Sequence, residues 1–255
     1  RAAKVISSMH VGEFGPPIFS PQIVSQGDYH NNGVWPYVTS FWGKAAAKAE
    51  NETALMHALA CNVRTAALYA TNYENYSFKT GNPYTTLMNS PNMLWGLSGF
   101  MGLFHRTFFG LEFTQEGLAM KPFVPTVLAG TRKLEAFPYR GMQLDITVSG
   151  SGNEIASCKV DGKEADAFIP ADWTGKHTVE IVMKGEHKPS SINMVGYIGM
   201  PEMPEVELSA GKLQWKAIEG ATKYEVLKDG QVVAETASCS QPTAGSGEYL
   251  VRAVS

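Results

Sequence analysis

The stretch Tyr73-Glu74-Asn75-Tyr76-Ser77-Phe78-Lys79-Thr80-Gly81 sets one carboxylate among aromatic and amide side chains. Such a mixture suits a sugar. Aromatic faces hold the apolar side of a pyranose, amides bond its hydroxyls, and a carboxylate activates water. A second cluster of the same chemical kind lies upstream, at Asp28-Tyr29-His30-Asn31-Asn32-Gly33-Val34-Trp35-Pro36. Glu74 is the candidate catalytic carboxylate, with a solvated loop charge or a helix-end charge as its simpler role. Asp28 is the one carboxylate of the upstream cluster, and a hydroxyl contact or a loop cap suits it better than the role of general acid. Trp35 either stacks on a sugar ring or fills the core at a helix start. His30 either bonds hydroxyls or is structural. Asn31 and Asn32 suit hydroxyl recognition, since an amide both donates and accepts. They suit a turn equally, because Asn-Gly is a turn signal. Tyr73, Tyr76 and Trp95 are further candidates for sugar contact, with core packing as the plainer alternative.

The elements that must position these residues differ in period along the chain. Up to about residue 110 the pattern is helical. Val34, Val38, Phe41, Ala45 and Ala49 recur at helical spacing, as do Leu55, Leu59, Val63, Ala66 and Ala70, with Asn51 as an N-cap and Cys61 on the apolar face. A third helix is expected over 92–109, capped by Ser90, opened by Pro91 and ended at Gly110. It is apolar nearly all round and so should be buried on most sides. Gly96, Gly99 and Gly102 fall along one of its sides, where a neighbouring backbone can approach closely. From Leu111 to about Gly199 the period shortens. Residues 118–123, 142–148 and 177–182 look like strands, and Val160-Asp161-Gly162-Lys163 looks like a hairpin turn, which together predict a β-sandwich. Met200-Pro201-Glu202-Met203-Pro204 forms a stiff linker, followed by strands around Asp229-Gly230.

Bulk composition narrows the partners. With 44% hydrophobic residues in 255 the chain is globular, and a net charge of -3 offers no basic surface for nucleic acid. No apolar run approaches the roughly 20 residues of a membrane span. The cysteines Cys61, Cys158 and Cys239 show neither zinc nor disulfide-framework spacing, and the histidines show no metal-ligand spacing, so no metal or cofactor is expected. The opening Arg1–His10 has neither an initiator Met nor a signal-peptide pattern and reads as a helix already under way. The expectation is the C-terminal part of a longer protein.

Several segments carry a family likeness in their order and spacing. They are Gly15-Pro16-Pro17 with Gln26 to Pro36, Tyr73 to Gly81, and Asn92-Met93-Leu94-Trp95-Gly96-Leu97-Ser98-Gly99. Over residues 1 to 195 the chain resembles the end of a six-hairpin (α/α)6 glycoside hydrolase with its C-terminal β-sandwich. The nearest patterns are those of trehalases and of the processing α-glucosidase I and mannosylglycerate hydrolase group. Gly110-Leu111, Glu116-Gly117-Leu118 and Lys121-Pro122-Phe123-Val124-Pro125 also resemble the helix-to-sandwich junction of disaccharide phosphorylases. Residues 204 to 255 resemble a fibronectin type III module through Trp215, the strand led by Tyr224 and the alternating final strand.

The resemblance implies a multidomain chain, α then β. Residues 1–110 would be the C-terminal helices of an (α/α)6 toroid, 111–199 a β-sandwich and 200–255 a small fibronectin type III-like sandwich. It implies inverting hydrolysis of an α-linked glucoside or related sugar, with Glu74 as general base and the acid on a hairpin outside this chain. The rivals are a phosphorylase on the same barrel and a non-catalytic carbohydrate-binding or adhesive protein. The helices would need the missing N-terminal segment or a neighbouring copy as partner. A periplasmic or secreted location is expected.

Overall fold

The computed structural model describes residues 1–23, 26–186, 190–197 and 199–255. The chain opens with α1 (Ala2–Ser8), followed by three two-residue strands: β1 (His10–Val11), β2 (Gln22–Ile23) and β3 (Gly33–Val34). Pro36 then starts α2 (Pro36–Lys48), where its missing N–H would have been unpaired in any case. Asn51 caps α3 (Glu52–Tyr69) as expected, its side-chain oxygen accepting the Ala54 N–H at 2.9 Å. After β4 (Tyr76–Ser77) comes α4 (Leu94–Leu103), which widens into a π turn at Phe104–Phe108 before Gly110 ends it at φ +63°.

α4 departs from expectation in two ways. It begins after Asn92, whose left-handed φ of +58° blocks an earlier start, and the Ser90 hydroxyl turns to the Pro91 carbonyl instead of capping. It is also buried on one side only. The glycine side packs on α2, where a Cβ on Gly99 would lie 3.1 Å from the Tyr37 Cα, so the close approach is real. On the other side Leu94, Leu97 and Met101 are exposed, Leu94 by 78%. The apolar spacing also misplaced the inner face of α2. Phe41 is exposed, while Ser40, Trp42, Gly43 and Ala46 are buried, Trp42 with three small residues making the face toward the helical core. A Cβ on Gly43 would sit 2.9 Å from the Ala58 Cβ. Leu55, Leu59 and Cys61 are buried on α3 as expected, but Val63 is not.

The expectation of part of an (α/α)6 toroid is overturned. Among the described residues strands make up 37%, against four α-helices of 7, 13, 18 and 10 residues. The physical reason lies in what closes the helical core. Trp42, Leu55, Leu59 and Leu103 are covered by Val11, Phe108, Phe123, Leu128 and Ile192, which come from a strand, the π turn and the flanks of the sandwich. No further helical hairpin takes that place among the described residues. None of the helices there is long and apolar enough to cross a membrane.

The central region is a β-sandwich. Its smaller sheet contains β5 (Leu111–Phe113) and β6 (Gly117–Met120). The larger one contains β7 (Gly130–Tyr139), β8 (Met142–Gly150), β9 (Glu154–Val160) and β10 (Lys163–Glu164). Next come β11 (Phe168–Pro170), which joins the small sheet, and β12 (Gly175–Lys184), which joins the large one. Strand orders are β11-β6-β5 and β10-β9-β12-β8-β7, with β12 and β8 the parallel pair. Period-two alternation puts Met142, Leu144, Ile146 and Val148 of β8 inside, with Val179, Ile181 and Met183 of β12. The expected turn at Asp161-Gly162 has both residues at positive φ, as a two-residue hairpin requires.

The segment after the sandwich runs back over the helices. β13 (Asn193–Met194) pairs in parallel with β1, and β14 (Gly199–Met200) in parallel with β2. Two antiparallel sheets of three strands follow. β15 (Glu207–Ser209), β16 (Lys212–Gln214), β17 (Lys223–Lys228), β18 (Gln231–Thr236), β19 (Ser240–Pro242) and β20 (Tyr249–Val254) are arranged as β15-β16-β19 and β18-β17-β20. Trp215, Tyr224, Val226 and Val251 form their shared core.

Two predictions follow from this packing. A Cβ on Gly110 would fall 2.0 Å from the Lys121 carbonyl carbon, at a φ that L-residues disfavour. Gly110→Ala should therefore lower stability by about 3 kcal/mol, read from the urea midpoint. In the sandwich, His177 Nδ1 lies 2.8 Å from Asp161 Oδ2. That hydrogen bond is the main cause raising the His177 pKa and lowering that of Asp161. The His177 contribution to stability is present below its ordinary 6.5 and fades as pH rises through the raised value. The Asp161 contribution is present above the ordinary carboxylate range and fades as pH falls. Asp161→Asn should return His177 toward 6.5, as followed by its ring proton shifts.

Candidate functional site

The two chemically rich segments meet through their backbones. β3 and β4 pair antiparallel, Gly33 against Ser77 and Val34 against Tyr76, and the Phe78 N–H extends the contact to the Asn32 carbonyl at 2.7 Å. Gly33 is required here, since a Cβ would overlap the Tyr29 carbonyl oxygen, 1.8 Å away. Asn32, at φ +54°, makes the left-handed turn before it. The Asn-Gly pair thus does serve as a turn.

Residues 82–90 pack between the two loops. The Leu87 N–H donates to the Asp28 carbonyl at 2.8 Å, and the Glu74 N–H donates to the Ser90 carbonyl at 2.9 Å. Asn89 locks the arrangement: its amide donates to the Asn75 and Pro83 carbonyls at 2.8 Å, and its oxygen accepts the Asn75 N–H at 3.3 Å. The Asn75 amide donates to the Met88 carbonyl in return.

Within this frame the Tyr29 hydroxyl donates to Glu74 Oε1 at 3.2 Å. Partial burial first, then the charge of Glu74 and the hydrogen bond to it, raise the Tyr29 pKa above its ordinary value. Tyr29 therefore stays a donor across the neutral range. Glu74 is half-buried, and its second oxygen has no hydrogen-bond partner among the described residues. One anchored oxygen and one open oxygen is the geometry of a carboxylate that can orient a water. Asp28 accepts a short hydrogen bond from the Asn32 amide.

The other candidates divide into wall and support. Trp35 is 4% exposed, donates from Nε1 to the Tyr29 carbonyl at 3.2 Å and stacks against His30 at 5.2 Å and 16°. It is a buried support for the loop, and the exposed His30 ring covers it. The Asn31 amide donates to the Ile23 and Gln26 carbonyls at 3.0 Å, while its oxygen accepts the Ile23 N–H. Both its donors are committed to the loop, which leaves none for a hydroxyl. Tyr76 is buried, its hydroxyl accepting the Tyr73 N–H at 3.3 Å. Tyr73 and Tyr84 join hydroxyls at 3.3 Å in a cluster with Tyr69. Trp95 is 40% exposed and stacks on Tyr37 at 4.8 Å and 21°, keeping part of its surface open.

Sequence reasoning gave no role to Tyr29, Tyr37, Tyr84 or Asn89. Tyr29 stood next to Asp28 in the upstream cluster, and a hydroxyl beside a candidate acid was the available signal. Nothing local marked Asn89, whose partners lie up to 14 residues away. Three buried polar atoms without a partner, Asn32 Oδ1, Asn75 Oδ1 and Ser77 Oγ, also fall on the two joined segments. Orphaned groups of this kind cost stability and need a reason.

Asn31→Ala would leave the Ile23 and Gln26 carbonyls and the Ile23 N–H without these partners. A loss of about 2 kcal/mol is expected in urea unfolding. Set against known proteins, the chain matches no protein-family model and no curated protein sequence.

Proposed function

We propose that this chain carries part of an inverting glycosidase site, in which Glu74 is the general base that activates water against an α-linked glucoside or a related sugar. The observation that supports this most is the β3–β4 pairing, which sets the Tyr29 hydroxyl against one oxygen of Glu74 and leaves the other open. In this reading Tyr29 is a positioning residue. Its hydrogen bond fixes the rotamer of the carboxylate, while the open oxygen takes the proton of the attacking water. His30, Trp95 and Tyr84 offer exposed ring surface, His30 against Tyr29 at 4.6 Å and Tyr84 against Tyr73 at 5.7 Å. Inverting hydrolysis also needs an acid roughly 6.5–9.5 Å from the base, on the opposite face of the sugar. Asp28 is the one other carboxylate in the two joined clusters, with one oxygen held by Asn32.

A phosphorylase would need cations around Glu74. Lys79, its nearest cation in sequence, instead packs its ammonium over the Tyr197 ring at 5.1 Å. Exposed Trp95 and Tyr84 favour a second reading, a sugar-binding surface without turnover.

The test is hydrolysis of α-linked disaccharides and aryl α-glucosides by the protein and its Glu74→Gln variant. Loss of a general base should lower kcat about 10²- to 10⁴-fold, with the first-formed sugar appearing as the β-anomer by NMR. Unchanged turnover in Glu74→Gln would overturn the assignment. Asp28→Asn sorts the second carboxylate. If Asp28 is the acid, substrates with good leaving groups should be spared; equal loss on all substrates would make it a positioning residue. Binding of sugars without turnover by the unmodified protein would select the second reading.

A further inference from the structure

A cleft of about 850 Å³ lies where α2 and the π turn meet the entry to the sandwich, and none of the residues of the Glu74 site line it. Four cations do: Lys44 and Lys48 from α2, Arg106 from the π turn, and Lys121 just past β6. Only two carboxylates face them, Glu50 and Glu112. Glu112 is taken by Lys121, at 3.0 Å. Among the described residues Lys44, Lys48 and Arg106 have no carboxylate within ion-pair distance. Lys44 and Lys48 stand one helical turn apart and repel each other.

These cations are held in place by groups that do not neutralise them. The Lys44 ammonium sits over the Phe41 ring at 3.7 Å. The Arg106 guanidinium stacks over Phe113 at 4.7 Å and donates to the Leu111 carbonyl at 3.0 Å. Burial, then the nearby charge of Arg106, lower the Lys44 pKa. Thr107 also lines the cleft. It is 2% exposed, and its hydroxyl has no hydrogen-bond partner. The irregular π turn that carries Arg106 and Thr107 is itself a feature often found at functional sites.

We propose that this cleft is an anion site, which takes the phosphate or carboxylate group of a small ligand between Lys44, Lys48 and Arg106. An oxyanion there relieves the repulsion between the cations and supplies acceptors to the Lys44 and Lys48 ammonium groups and to the Arg106 N–H groups not taken by the Leu111 carbonyl. The inference stands apart from the glycosidase reading, since it uses none of the residues of that site.

The test is calorimetric titration of the full chain with inorganic phosphate and, separately, with glucuronate, in buffers matched for ionic strength with chloride. Saturable binding of either anion is expected, and the arm that binds more tightly identifies the group the site prefers. The Lys44→Gln and Lys48→Gln double variant should fold normally, as Lys48 is exposed, Lys44 is only partly buried and glutamine keeps most of each stem. It should bind about tenfold or more weakly, as loss of charge-assisted hydrogen bonds implies. Arg106→Lys keeps the charge but loses the planar fork, and should weaken binding less than Arg106→Gln. Equal affinity in the double variant, or failure of both anions to saturate by about 10 mM, a free energy weaker than any specific site warrants, would overturn the proposal.

Discussion

Four residues of backbone pairing hold the two chemically rich loops to one another. Gly33 and Val34 on one side, with Tyr76 and Ser77 on the other, form a ribbon too short to be stable alone. Its stability comes from what surrounds it. Val34 and Tyr76 are buried, the Asn32 carbonyl receives the Phe78 N–H, and Trp35 closes the end of the ribbon as α2 begins. The contact between Tyr29 and Glu74 depends on this register. A slip of one residue would turn Tyr76 outward and carry Glu74 away from Tyr29.

The helices supply the platform by packing through small residues. Ser40 and Gly43 on α2 and Gly96 and Gly99 on α4 remove the bulk that ordinarily separates helix axes, so α4 lies close against α2. That proximity lets Trp95 stack on Tyr37 and meet Trp35 edge-on at 5.5 Å. The same arrangement leaves the larger apolar residues of α4, Leu94, Leu97 and Met101, on its outer side.

Local chemistry was legible in the sequence wherever a residue's role is settled by its near neighbours. Asn51 caps α3, Gly110 ends the helical run, Asp161-Gly162 turns a hairpin, and alternation in β8 gives its inner face. What failed was inference from apolar spacing to burial on α2 and α4, since Ser40, Gly43, Gly96 and Gly99 share those contacts with Trp42 and Leu103 while Phe41, Leu94 and Leu97 stay outside. The toroid failed for a related reason. The repeat of helices was visible, but their core is closed by Phe123, Leu128 and Ile192, distant in sequence and ordinary in type. In the site, the types of residue were legible and their duties were not. Asn31 and Trp35 have the chemistry of sugar contacts, yet long-range packing commits them to holding the loop.

Asn51 carries a consequence that reaches beyond the cap. Its oxygen serves both the Ala54 N–H and the Ser190 hydroxyl, its amide donates to the Ser191 carbonyl, and the Thr53 hydroxyl, two residues on, donates to the Ser190 carbonyl. The first turn of α3 and the chain leaving the sandwich therefore share one set of hydrogen bonds across 140 residues. The two are coupled through Asn51, which holds the Ala54 amide at one end and Ser190 and Ser191 at the other, so release of the returning segment loosens the cap of α3. A helix start that looks local is complete only after the sandwich has formed, which puts its final consolidation late in folding.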